Sequence, residues 1–297
     1  MGMIKLPEKS ISFFEDHYPE IFESGNLAEG KWISKVSDWA TEYTGAPYAH
    51  AVNSNGAGIF SILNILKNYS GKRRIFLQSN TMYGVRTMSI TSGLEFCGYV
   101  DCDLDYLMPN YDQVFDFVSL LDAPSECIFL LTHIGGWVNP DIEGIAALCK
   151  EKGVTLIEDC AHTMGAQWKT EKSGNFGIAG CFSTQTYKHL NSGEGGLLTS
   201  NDEVFMARAI IYSGSYMLYE RHGAAPKPEV FSEVRLQTPN YSGRMDNLRA
   251  AILRPQINNL EANIDRWNER YRLVEKKLKQ VSGIEMLERL KEEGYVG

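Results

Sequence analysis

Residues 154–166 read VTLIEDCAHTMGA and residues 180–198 read GCFSTQTYKHLNSGEGGLL. Val154 to Ile157 is a short apolar run with β-branched ends, of the kind a parallel sheet buries on both faces, and it stops at two acids, Glu158 and Asp159. In an open α/β sheet, ligands collect at the carboxyl ends of the strands, so an acid at that point faces either a site or a helix N-terminus. The second run carries Ser183 and, five residues on, Lys188, then the glycine-rich Gly193, Glu194, Gly195 and Gly196.

An acid at a strand end and a lysine in a turn beside a hydroxyl are the parts that pyridoxal phosphate chemistry needs. The lysine amine forms a Schiff base with the cofactor aldehyde. The carboxylate keeps the pyridine nitrogen protonated, so that the ring acts as an electron sink. The hydroxyl takes a phosphate oxygen. Each residue alone has a plainer reading, since an aspartate after a parallel strand also caps helices and a lone lysine is usually a solvated surface group. The combination is what points to a cofactor.

EDCAHTMGA, FSTQTYK and GEGG, in this order and spacing, resemble the pyridoxal-phosphate-dependent sugar aminotransferases of the DegT/DnrJ/EryC1/StrS family, and the resemblance runs from about Gly25 to Val281. It implies an α/β protein of fold type I: an α/β/α large domain with a mostly parallel sheet, followed by a small C-terminal domain. Residues 1–250 are expected to form the large domain with its N-terminal segment. Residues 251–297 are expected to hold a long helix and the start of the small domain, which the resemblance implies is truncated at KEEGYVG. The resemblance further implies a homodimer with sites at the subunit interface. The implied reaction moves an amino group from glutamate or glutamine to a keto-sugar, often nucleotide-linked, or to a keto-cyclitol, through a Lys188 Schiff base.

The implied roles follow residue by residue. Asp159 holds the ring nitrogen, His162 lies near the phenolic oxygen, and Ser183 anchors the phosphate. In NSNGAG, before the helically spaced IFSILNILKNY, a small-residue turn feeds a helix N-terminus, which is either an anion site or an ordinary cap. By resemblance Asn55 and Gly56 there contact the phosphate, although the family usually has Gly then Thr; the backbone donors survive that change and the threonine hydroxyl does not. The residue covering the ring is Met82 or, with a one-residue shift, Tyr83. Ser242 takes the slot where many members place an asparagine that reaches the neighbouring subunit's phosphate.

Other stretches yield coarser expectations. A helix over Trp39–Thr44 leads to a strand at Ala49–Val52; Arg74–Gln78 and Cys127–Thr132 are further strands, and Leu94–Asp103 mixes strand with turn. Ile142 to Gly153 has a helical period and a closing glycine. Asn201-Asp202 opens a helix over Glu203–Ile211, and Asp246 caps another. His133, at a strand end, is either a satisfied buried histidine or a catalytic one. Residues 214–239 look like a mobile surface loop in which Tyr216, Tyr219, Arg221 and His222 are candidates to meet substrate. Pro255 falls inside a helical pattern, and a kink or break at Arg254 is expected there.

The bulk numbers exclude other classes. A chain of 297 residues with 43% hydrophobic and 22% charged residues has ample core. A net charge of −8 speaks against a nucleic-acid partner. No apolar run reaches membrane-spanning length and MGMIKLPEKS lacks a signal peptide's apolar centre, so no membrane association and a cytoplasmic location are expected. Six scattered cysteines show no metal-ligand spacing and read as reduced thiols. Two alternatives stand beside transamination: a sugar dehydratase, whose relatives carry histidine in place of the Schiff-base lysine, and an inactive or regulatory paralogue.

Overall fold

The computed structural model describes residues 5–215, 217, 219, 222–287, 289 and 294–296. Tyr216 and Arg221, singled out above, lie outside the described residues. Nearly continuous apolar runs form the strands: β1 (Tyr48–Val52), β2 (Arg74–Gln78), β3 (Glu95–Val100), β4 (Cys127–Thr132), β5 (Thr155–Asp159), β8 (Ala179–Ser183) and β9 (Gly196–Ser200). They pair as one sheet in the order β1-β9-β8-β5-β4-β2-β3. All run parallel except β9, which opposes both of its neighbours. A two-stranded hairpin, β6 (Gln167–Trp168) with β7 (Glu171–Lys172), stands apart from the sheet.

Successive side chains on a strand point to opposite faces, and the runs use both. Phe76, Phe129, Leu131, Leu156, Phe182 and Leu197 enter one buried cluster, whereas Ile75, Leu77, Ile128, Leu130, Ile157, Cys181 and Leu198 enter the other. The first face is covered by α1 (Glu8–Ser24), α2 (Lys31–Thr44), α5 (Tyr111–Ser119), α6 (Ile142–Lys152), α9 (Asn247–Ile257) and the start of α10 (Leu260–Leu278). The second is covered by α3 (Asn55–Tyr69), α7 (Glu203–Tyr212) and α8 (Pro228–Val234), with Val85 of α4 (Tyr83–Thr91) at its edge. Burial of each large apolar side chain contributes about 1.5–3 kcal/mol. This is a mixed α/β fold with a mostly parallel central sheet, as expected from the sequence.

The structure departs from the expectations at three places. α1, a helix for which the sequence carried no expectation, contains Pro19 and packs Phe13 and Ile21 onto the core around Trp32. Residues 214–239 are not all loop: Pro228 starts α8, whose Phe231 and Val234 are buried, and Phe231 stacks on Tyr219 at 4.3 Å. Pro255 does not end its helix at Arg254, because α9 continues to Ile257 and the chain turns at Asn258–Asn259. Side chains bridge that last turn: Gln256 Nε2 donates to Ile252 O, Arg254 Nη1 to Asn258 Oδ1, and Asn259 Nδ2 to Pro255 O. These bonds tie the last turn of α9 to the residues that follow it, next to a proline that has no N–H to donate.

Strand register lines up the ends that matter. Val52 and Ser183 both pair with Gly196, Asp159 pairs with Cys181, and Thr132 pairs with Asp159. Gly196 lies where the start of α3 meets the sheet: a Cβ there would stand 2.7 Å from Phe182 O and 2.8 Å from Asn55 N. Both are backbone atoms, so relief requires the helix start to move. Gly196→Ala is therefore expected to cost about 1–3 kcal/mol, seen as a lower urea midpoint at an unchanged slope; an unmoved midpoint would show that the α3 start is free to recede.

Candidate active site

The two acids that end β5 take opposite faces. Glu158 turns toward the face of Leu156, where it is 1% exposed and fully engaged. Its oxygens accept main-chain N–H groups from Gly174 (2.8 Å), Phe176 (2.7 Å) and Gly177 (2.7 Å), and the His133 Nε2–H at 2.9 Å. His133 Nδ1 accepts from Asn139 N at 3.1 Å, which places the proton on Nε2. His133 is thus the satisfied buried histidine of the two readings. With Cys160, His133 and Glu158 bring ligand-type atoms within 4.8 Å of one another, but these hydrogen bonds occupy both imidazole nitrogens and both carboxylate oxygens.

Asp159 turns toward the face of α3. It is 3% exposed; Oδ1 accepts from Ala161 N at 3.1 Å and from Asn55 Nδ2 at 3.2 Å, and Oδ2 meets no donor among the described residues. Burial pushes its carboxyl above the usual carboxylate range, opposed by those two hydrogen bonds and by the charge of Lys188. Ser54 caps α3 by accepting from Ala57 N, and the main-chain N–H groups of Asn55 and Gly56 meet no acceptor among the described residues. The helix start is both an ordinary cap and a pair of free donors in the field of the helix dipole.

The lysine comes from the turn between β8 and β9. Main-chain bonds from Thr184 N to Gly195 O, Thr186 N to Gly193 O and Ser192 N to Thr184 O close it. Gly195 has no room for a side chain, since a Cβ would lie 2.3 Å from Thr184 Oγ1 and 2.7 Å from Met245 Cε. Farther along, Gln256 on α9 grips Asn191 at both ends, accepting from its N at 2.9 Å and donating to its O at 2.7 Å. Lys188 Nζ makes no hydrogen bond or salt bridge among the described residues. Burial pulls its amine below the usual lysine range, and the negative charge of Asp159 partly restores it.

Asn55, Gly56, Met82, Asp159, His162, Ser183 and Lys188 line one open cavity of about 200 Å³, concave and mostly apolar with a few convergent polar groups, as small-molecule sites are. Tyr83, 81% exposed, and Ser242 are outside it. Ser242, at φ +53°, borders a second cavity with Asn240, Arg244 and the segment from Gly25 to Glu29. His222 borders a third, beside Gly30 and Lys31, and Tyr219 is buried against α8. The cavity also has lining that the sequence did not single out: Thr132, Ile134, Gln185 and Glu194. Gln185 and Glu194 stand inside the two motifs quoted at the outset, and Thr132 ends a strand, so motif position and strand end were the available signals.

A family model described as the DegT/DnrJ/EryC1/StrS aminotransferase family matches residues 10–295. Among solved structures, the chain is similar to the aminotransferase TlmJ from Streptoalloteichus hindustanus, at 22% identity and TM-score 0.80 over 99% of this chain and 74% of that one. It is similar to the sugar aminotransferase CalS13 from Micromonospora echinospora, at 18% identity and TM-score 0.81 over 97% and 76%. A third is an E. coli GDP-4-keto-6-deoxy-D-mannose-3-dehydratase with bound hydrated PLP, at 18% identity and TM-score 0.79 over 99% and 76%.

The histidines give a pH test. Burial first, then the charges of Lys188 and His189, bring His162 down to about 4, and burial lowers His50 and His222 from their ordinary value of 6.5 as well. Between pH 6.5 and about 4 the unfolded chain binds protons that the folded chain refuses, so these groups make stability fall as pH falls through that window. His162→Asn is expected to flatten the slope of unfolding free energy against pH there. An identical slope in the variant would contradict the half-buried, neutral imidazole.

Proposed function

The chain belongs to the DegT/DnrJ/EryC1/StrS aminotransferase family, and from that we propose that it is a pyridoxal-phosphate-dependent aminotransferase that takes an amino group from glutamate or glutamine and gives it to a keto-sugar or keto-cyclitol. One observation carries the reading: a buried carboxylate and a lysine amine line the same cavity without pairing to each other, and among the described residues one carboxylate oxygen and the amine meet no other partner. An acid and an amine that line one cavity would ordinarily attract each other. Held apart across a cavity, they suit a flat group with a cationic nitrogen at one end and an aldehyde at another.

The residues present fit that cofactor on their chemistry. Asp159 Oδ2 is a buried acceptor for a protonated ring nitrogen. The free N–H groups of Asn55 and Gly56 with the Ser183 hydroxyl would hold the phosphate, which a helix start favours. Met82 lends a thioether to a ring face, and His162, kept neutral, offers a hydrogen bond near the ring's oxygen substituent. Bound there, pyridoxal phosphate supplies the electron sink that lets an amino group pass between an amino acid and a ketone.

The chain's own tasks follow from these positions. Asp159 holds the proton on the ring nitrogen by offering its only concentrated negative charge in a desolvated place. Lys188 Nζ, with its basicity reduced by burial, has a larger uncharged fraction near neutral pH than a surface lysine, which suits an amine that must attack a carbonyl and then carry protons between carbons. The turn from Ser183 to Gly196 fixes the lysine's base, through the bonds to Gly193, Gly195 and Asn191. A second subunit of the same chain is proposed to close the mouth of the site, with Ser242 reaching across. Residues 1–250 are proposed as the large domain, followed by the start of the small one.

Lys188→Ala is expected to lower formation of amino sugar from keto-sugar and glutamate by at least about a thousandfold, measured by product mass. Retained turnover would remove Lys188 from its role. The same assay separates the neighbouring chemistry that the dehydratase fold relative represents: loss of water from the keto-sugar without an amino donor, and no aminated product, would favour dehydration over transfer.

A further inference from the structure

We propose that Asn55 is a positioning residue that sets the spacing between the two ends of the cofactor site, with its main-chain N–H at the anion end and its side-chain amide holding Asp159 at the other. The inference rests on the functional reading above and assigns a part to a side chain which that reading leaves unused. Asn55 is 8% exposed, and Nδ2 donates to Asp159 Oδ1 at 3.2 Å and to Cys181 O at 2.9 Å. Both partners are acceptors only, which fixes the orientation of the amide and spends both of its hydrogens.

The consequence for Asp159 is geometric. Oδ1 takes donors from Asn55 and Ala161, so the carboxylate cannot rotate freely, and Oδ2 is the oxygen left to meet a ligand. Residue 55 is the first residue of α3, where the N–H groups of Asn55 and Gly56 meet no acceptor among the described residues. The helix that presents those donors is seated tightly: a Cβ at Gly58 would lie 2.3 Å from Cys181 Sγ, and one at Gly196 would lie 2.8 Å from Asn55 N. One residue therefore joins a seated helix start to the acid at the end of β5. A glycine or serine at this position keeps the N–H and falls short of the carboxylate.

Asn55→Gly separates the two functions, and Asn55→Ser serves as the second variant should the glycine loosen the helix start. In cofactor-free protein labelled with ¹³C-carboxyl aspartate, the Asp159 signal is assigned by its absence in Asp159→Asn and then titrated. Loss of a hydrogen bond to the charged form is expected to raise the titration midpoint by about one pH unit, tenfold in proton affinity. Binding of pyridoxal phosphate and of pyridoxal, followed by absorbance, is expected to weaken about tenfold for each, with their ratio unchanged. An unmoved Asp159 midpoint overturns the proposal. So does a collapsed ratio between the two ligands, which makes Asn55 a phosphate contact only. Wild-type protein that binds neither ligand would sink the functional reading, while the titration still decides whether Asn55 holds Asp159.

Discussion

A carboxylate kept at the end of a buried strand, with no cation in contact, is the constraint on which the rest of the site depends. Removing such a group from water is costly unless hydrogen bonds or a counter-charge offset the loss. Among the described residues, Asp159 has two donors on one oxygen and none on the other. The protein therefore carries a partly compensated charge at this point. A ligand with a positive nitrogen would complete the compensation, and the proposed cofactor has one. Glu158, its neighbour, shows the contrast: four donors on the other face of the same strand make it a structural knot that ties the turn at residues 174–177 to His133.

Alternation along the strands and register across them do the rest of the assembly. Because adjacent residues face opposite ways, one strand end supplies both a structural acid and a site acid. Because β9 runs against its neighbours, Gly196 at its start lies beside Ser183 and Val52 at their ends. The sheet thereby brings the lysine turn, the start of α3 and the end of β5 to one edge. Gln256 adds a tie from outside the sheet, clamping the residue at the far side of the lysine turn. Pro255, beside it, does not end α9, and the turn that follows is held by side chains. The end of α9 thus supports the lysine turn.

Much of this was legible in the sequence where local and tertiary preferences agree. The apolar run CIFLLT is β4 to the residue, Asp202 and Asp246 cap their helices, and Gly153 closes α6 in a left-handed conformation. The run of motifs from Asp159 to Gly196 also located most of one cavity wall. What was not legible was set by contacts distant in sequence. α1 is polar and contains a proline, and only its packing around Trp32 makes it a helix. α8 hides in a stretch rich in glycine and proline, and is held by Phe231 against Tyr219. The amide of Asn55 reaches an acid 104 residues away, which no local pattern announces. Whether Met82 or Tyr83 stands nearer the cavity depended on a one-residue rotation about α4, and Met82 lines it.

The central claim is that Lys188 and Asp159 face one another across the space for a single flat ring. The most direct measurement adds pyridoxal phosphate to the purified protein, reduces with borohydride and maps the attached mass to a peptide. The expected result is one label per chain, on Lys188, lost when Asp159 is replaced by alanine. A label spread over surface lysines, or fixed on a different lysine, would contradict the account.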